Sequence, residues 1–118
     1  MNYKSDFDLD LSTGEQGESL VRDILQISTI EVKTDFLASI TGNIAVEYES
    51  RGKPSGLSVT KASHWVFVIP NKIAIFVETN QLKEIAREYY KKGSIRSGGD
   101  LDSSRLILIP IKELFYGR

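Results

Sequence analysis

Glu31-Val32-Lys33-Thr34-Asp35 and, one short loop later, Ile44-Ala45-Val46-Glu47-Tyr48-Glu49 decide how this chain is read. Each stretch alternates, as a β-strand with two unlike faces does. In the first, Glu31, Lys33 and Asp35 share a face, and Ile30, Val32 and Phe36 share the other. In the second, Glu47 and Glu49 line up with Ala45, while Ile44, Val46 and Tyr48 point away. Paired as a hairpin, the two strands bring Asp35, Glu47 and Glu49 together. Carboxylates that close raise one another's pKa unless a cation lies between them. Mg²⁺, a hard ion that takes oxygen ligands, answers that need. The same alternation also describes a half-exposed antiparallel sheet with its charges in water.

Working outward, Ser12 or Thr13 can cap a helix from about Gly14 to Ile27, with Leu20, Val21, Ile24, Leu25 and Ile27 as its apolar stripe. Glu18 borders that stripe. The upstream alternation of Phe7, Leu9 and Leu11 suggests a short edge strand or an arm. Downstream, Arg51-Gly52-Lys53-Pro54-Ser55-Gly56 is turn chemistry, and Ser58 to Ser63 suggests a short helical turn. Trp65–Ile69 and Ile73–Val77 predict a buried hairpin around Pro70-Asn71-Lys72. A second helix starts near Thr79 or Asn80, buries Leu82, Ile85, Ala86 and Tyr89, and stops at Gly93. Ser94 to Ser104 is expected to be a flexible loop, Leu106–Ile111 a strand, and Lys112–Tyr116 a short helix. The order predicts one α/β domain over residues 1–118, a mixed central β-sheet flanked by helices.

Bulk composition narrows the function classes. At 118 residues the chain makes one domain with a real core. A net charge of −1 gives no global field for nucleic acid, so any such binding needs a local basic patch. With no cysteine there is no disulfide, thiolate zinc site or cysteine nucleophile. No stretch is apolar enough to span a membrane, and the acidic first ten residues are unlike a signal peptide, so a cytoplasmic location is expected.

Glu18, then Asp35, then Glu47-Tyr48-Glu49 resembles the PD-(D/E)XK nuclease superfamily, whose restriction-endonuclease-like core carries a helix glutamate, a strand aspartate and a (D/E)-x-K triad. The wider string looks like its small phage-encoded members: Gly14-Glu15-Gln16-Gly17-Glu18, Glu31 to Asp35, Thr41-Gly42-Asn43-Ile44, and Glu47 through Gly56. The likeness covers roughly the first two-thirds of the chain. It implies a Mg²⁺- or Mn²⁺-dependent endonuclease acting on DNA in the host cytoplasm. Asp35 and Glu47 would bind metal, and Glu18 would add a ligand or orient water. Glu49 stands where the superfamily has lysine; Glu49, Lys33 or Lys61 is then left to position the water. A chain this small is expected to work as a homodimer. The alternative is a catalytically inactive nucleic-acid or protein binding module on the same fold.

Phosphate contacts are expected from Arg51 and Lys53 beside the acidic strands, from Lys61, and from Lys91, Lys92, Arg96 and Arg105. Helix C-capping accounts equally well for Lys91 and Lys92. His64, the only histidine, is expected to be partly buried and hydrogen-bonded, and Trp65 to anchor the core.

Overall fold

The computed structural model describes the backbone of residues 3–27, 29–71 and 73–116, and within these the side chains from residue 14 onward except that of residue 27. In chain order the elements are helix α1 (Tyr3–Ile27), strand β1 (Ile30–Thr34), the single turn α2 (Ala38–Thr41), and strands β2 (Asn43–Ser50), β3 (Lys53–Pro54), β4 (His64–Ile69) and β5 (Ile73–Glu78). Helix α3 (Thr79–Lys91) and strands β6 (Ile95–Gly98) and β7 (Ser104–Pro110) follow. 3₁₀ turns occupy Gly56–Ser58, Asp100–Asp102 and Ile111–Phe115. The chain is a mixed α/β fold.

Its strands fall into two sheets, ordered β1-β4-β5 and β3-β2-β7-β6. The β-branched runs of β4 and β5 form the expected antiparallel hairpin, His64 opposite Glu78 through Ile69 opposite Ile73. Lys72 of its turn lies outside the described residues. In α3, Leu82, Ile85 and Ala86 recur at helical spacing and are buried. They close one core between the sheets, against Trp65, Phe67 and Val77 of the first and Ile44, Val46, Ile107 and Ile109 of the second.

Several expectations change. The two acidic strands do not form a hairpin: β1 runs parallel to β4, and β2 pairs antiparallel with β7 and β3. A parallel partner supplied from farther along the chain outcompetes the sequence neighbour. Neither face of β1 is buried beyond Glu31, and Lys33 is exposed like Val32 and Thr34. Lys33 lies opposite core Phe67, whereas Val32, expected inside, is 58% exposed.

Phe7 to Leu11 belong to α1 rather than to a strand, and their side chains lie outside the described residues, as does that of Ile27. Ser12 and Thr13 are interior to α1, so neither caps it. Of the predicted stripe only Ile24 is buried; Leu20, Val21 and Leu25 are exposed. The segment expected as a loop between Ser94 and Ser104 contains β6, because its backbone finds partners along β7 from Ile107 to Ser104. Among the described residues no helix is long and apolar enough to cross a membrane.

Candidate active site

Asp35 extends the β1 ladder by one step, its N–H donating to the Val68 carbonyl at 2.9 Å. The chain then turns sharply into α2, whose first amides have no partner within the turn. Asp35 supplies one. Its Oδ1 accepts from the N–H groups of Leu37 (3.1 Å) and Ala38 (3.0 Å). Its Oδ2 accepts from the Ala45 N–H at 3.2 Å. One carboxylate therefore joins the end of β1, the start of α2 and the flank of β2.

Glu47 faces away from the α3 core. Its neighbours Ile44 and Val46 pair with buried Ile109 and Ile107, while Ala45 and Glu47 pair with Leu108 and Leu106 on the other side. Two hydroxyls hold its carboxylate: Ser55 donates to Oε2 at 3.0 Å and Ser104 to Oε1 at 2.7 Å. The second half of the Glu-Ser-Arg-Gly-Lys-Pro-Ser-Gly run explains the first contact. Arg51 (φ 53°) and Gly52 (φ 76°) turn the chain as a two-residue hairpin loop with both residues left-handed, and Ser50 pairs with Lys53 across it. The Ser55 N–H then donates to the Tyr48 carbonyl at 3.1 Å. Gly56 (φ 51°) passes so close to the Glu47 carbonyl that a Cβ would overlap it. Only glycine allows this approach, and the approach delivers the Ser55 hydroxyl.

Lys33, Asp35 and Glu47 line one cavity of about 390 Å³, with Trp65 and Leu106 among its walls. The Lys33 ammonium pairs with Glu31 at 2.9 Å along the same strand face and lies 5.7 Å from the Trp65 ring centroid. The buried Trp65 indole Nε1–H has no acceptor among the described residues.

Glu49 departs from expectation. The β2–β7 register slips by one residue, Glu47 opposing Leu106 and Glu49 opposing Arg105, so Tyr48 is the extra residue of a β-bulge. Cross-strand partners share a face, and Arg105 alternates with buried Ile107 and Ile109 on the α3 side. Tyr48 joins that side, meeting Tyr90 edge-on with ring centroids 5.5 Å apart. Burial raises the Tyr48 hydroxyl's pKa above its ordinary value; Tyr90 and Glu49 add to the rise and Arg105 opposes it. The three carboxylates thus do not converge: Glu47 and Glu49 lie on opposite faces. Among the described residues no group of three or more acidic, histidine or cysteine side chains is placed to hold an ion.

The remaining candidates disperse. Glu18 is exposed on α1 and does not line the cavity. Lys61 lines a separate polar cavity with Glu78 and His64, whose Nδ1 lies 2.9 Å from the Ser63 hydroxyl. Arg51 and Lys53 are exposed in the β2–β3 turn, and Lys92 is occupied with Glu88 at 3.3 Å and the Tyr89 ring. Lys91 belongs to a groove on the α3 side. Arg96 opposes Leu106, which in turn opposes Glu47, so Arg96 shares the face of Glu47. Ser55, Ser104 and Gly56 were not foreseen; only the proximity of Pro54-Ser55-Gly56 to the acidic strands hinted at them. No family model, curated protein or solved structure matches the chain.

Proposed function

We propose that the chain is a metal-dependent phosphodiester hydrolase acting on DNA, with Asp35 and Glu47 holding a divalent cation. The observation that carries this reading is the single cavity lined by Lys33, Asp35 and Glu47. Both carboxylates offer hard oxygens, and Mg²⁺ is commonly held by one or two carboxylates, with water and substrate phosphate completing its shell. Asp35 Oδ1 accepts two hydrogen bonds, but Oδ2 and both Glu47 oxygens accept one each and keep a lone pair. The donor set therefore fits Mg²⁺ or Mn²⁺. When bound, such an ion supplies the Lewis acidity that activates water and offsets charge growing on the phosphate.

The chain's own residues do the positioning. Ser55 and Ser104 fix the Glu47 carboxylate, and the α2 amides fix that of Asp35. Lys33 supplies a cation at the cavity wall to orient the attacked phosphate. Arg96, on the same sheet face, meets a flanking phosphate. Glu49 and Glu18 have no part in this arrangement.

The test is incubation with plasmid, linear duplex, single-stranded and branched DNA in Mg²⁺ or Mn²⁺, beside Glu47→Gln. Metal-dependent cutting lost in the variant is the expected result. No cutting of any substrate, together with no rise in melting temperature on adding either metal, overturns it.

One observation favours the second reading, a binding module without turnover. Every carboxylate oxygen in the cavity already accepts a hydrogen bond, and the third carboxylate of the motif is on the far face. Such a module needs no stabilisation by metal.

A further inference from the structure

A second cavity, of about 430 Å³, opens between α3 and the bulged stretch of β2, on the sheet face opposite the Asp35–Glu47 cavity. Its α3 wall carries Lys83, Arg87 and Lys91. These recur every fourth residue, which puts them in one row with about 6 Å of helix rise between neighbours. None of the three makes an ion pair with a described residue, and no carboxylate lines the cavity. In a chain of net charge −1, a row of three cations without an ion pair to any described residue is a local concentration of charge.

Two tyrosines, Tyr48 from β2 and Tyr90 from α3 itself, add aromatic rings to the groove. Tyr48, on the side of Ile44 and Val46, meets Tyr90 edge-to-face at 83°, and Tyr90 is half exposed. Beneath them Leu57, Ala86 and Ile107 form a buried apolar floor. Cations at regular intervals beside an exposed ring answer a ligand with regularly spaced anions and flat apolar faces. A duplex hides its base faces in the stack, whereas a single strand offers both features at once.

We propose that this groove binds single-stranded nucleic acid, its phosphates along Lys83, Arg87 and Lys91 and one base stacked on Tyr90. The site is separate from the hydrolase reading and does not depend on it, because the two cavities lie on opposite sheet faces.

The test is fluorescence anisotropy with labelled oligothymidylate and oligouridylate in EDTA, over a range of salt. The expected result is binding that weakens with salt with a log–log slope of about −2, as three phosphates on a single strand require. Lys83→Gln/Arg87→Gln/Lys91→Gln weakens binding at least tenfold. Tyr90→Ala weakens it roughly five- to hundredfold, whereas Tyr90→Phe, which keeps the ring, binds as the parent does. Lys53→Gln, which removes an exposed cation that lines neither cavity, also binds as the parent does. DNA and RNA binding alike is expected of a site that reads phosphate and ring faces; preference for one names the source of the strand. Duplex bound as tightly as single strand, displacement by an acidic peptide, or binding unchanged in the triple variant each overturns the proposal. An equal loss in Lys53→Gln shows that binding follows overall charge and overturns the proposal, and absence of cleavage leaves the groove's test untouched.

Discussion

Gly52 and Gly56 lie in the same motif, both left-handed, and their replacement by alanine separates a conformational cost from a steric one. At Gly52 (φ 76°) an added Cβ meets nothing within 4 Å. Gly52→Ala therefore carries only the left-handed penalty, about 1–2 kcal/mol. At Gly56 (φ 51°) the same penalty applies, and the Cβ also overlaps the Glu47 carbonyl oxygen, with the Glu47 carbonyl carbon at 2.9 Å and its Cβ at 3.1 Å. Those are atoms of a strand laddered to β7, so the strand or the 55–56 segment must move. Overpacking of that kind adds about 1–3 kcal/mol, for a total near 2–5 kcal/mol. Urea unfolding, with slopes of about 1–3 kcal/mol per M for a domain of this size, resolves the two variants as different midpoints. The displacement also draws Ser55 from Glu47, so any metal-dependent cleavage falls further in Gly56→Ala than in Gly52→Ala. Equal destabilisation by both substitutions refutes the reasoning, since the close approach would then carry no energy.

Asp35→Ala removes the acceptor for three backbone amides and is expected to cost about 1–3 kcal/mol, the loss of a helix cap plus a tether to β2, with Asp35→Asn recovering part of it; a loss within error in chemical denaturation contradicts the clamp. Glu49→Lys introduces the lysine of the PD-(D/E)XK pattern that the sequence resembles, but on the α3 side, so any cleavage and metal stabilisation stay at the parent level; a large gain in cleavage would mean that position 49 reaches the Glu47 face. Burial raises the Tyr48 pKa above its ordinary value of 10.0, so the folded state holds the proton more tightly than the unfolded one. Stability from this group is full below that value and falls as pH rises above it; Tyr48→Phe should flatten the alkaline limb of a melting-temperature profile, and an unchanged limb counts against it. If the chain works as a homodimer, as the proposed hydrolase reading expects, its sedimentation mass is twice 13.2 kDa, and a monomer mass at all concentrations removes that expectation.

What was legible in the sequence is what local periodicity controls. The β4–β5 hairpin, the buried face of α3 and the alternation of Ile44, Val46 and Glu47 all follow from spacing within a single element. What failed depends on partners distant in sequence. β1 and β2 look like a hairpin because they are adjacent, yet β1 finds its partner in β4 and β2 in β7. The glycine-serine composition of 94–104 suggests a loop, but backbone pairing to β7 makes part of it a strand. In the site, Asp35 and Glu47 were visible as strand carboxylates. Their anchors were not, because Ser104 reaches Glu47 across 57 positions of sequence, and no periodicity reports a contact of that range.

The bulge at Tyr48 is the case where one residue redistributes side chains between the faces of a sheet. Strict alternation through Val46-Glu47-Tyr48-Glu49 places both glutamates on one face, and any reading by period alone must do so. The slip against β7 inserts one extra residue, so Tyr48 stays on the side of Ile44 and Val46, against Tyr90, while Glu49 changes sides and pairs with Arg105. A second carboxylate beside Glu47 would have strengthened a metal site. Instead β2 keeps one acidic residue toward the Asp35 cavity and turns a ring toward the Lys83–Arg87–Lys91 row. The Asp35–Glu47 cavity and the Lys83–Arg87–Lys91 row thereby occupy opposite faces of one sheet, with the apolar core and α3 on the side of the row. A net charge of −1 is a total over the whole chain and carries no information on how acidic and basic side chains are divided between the two faces of a sheet.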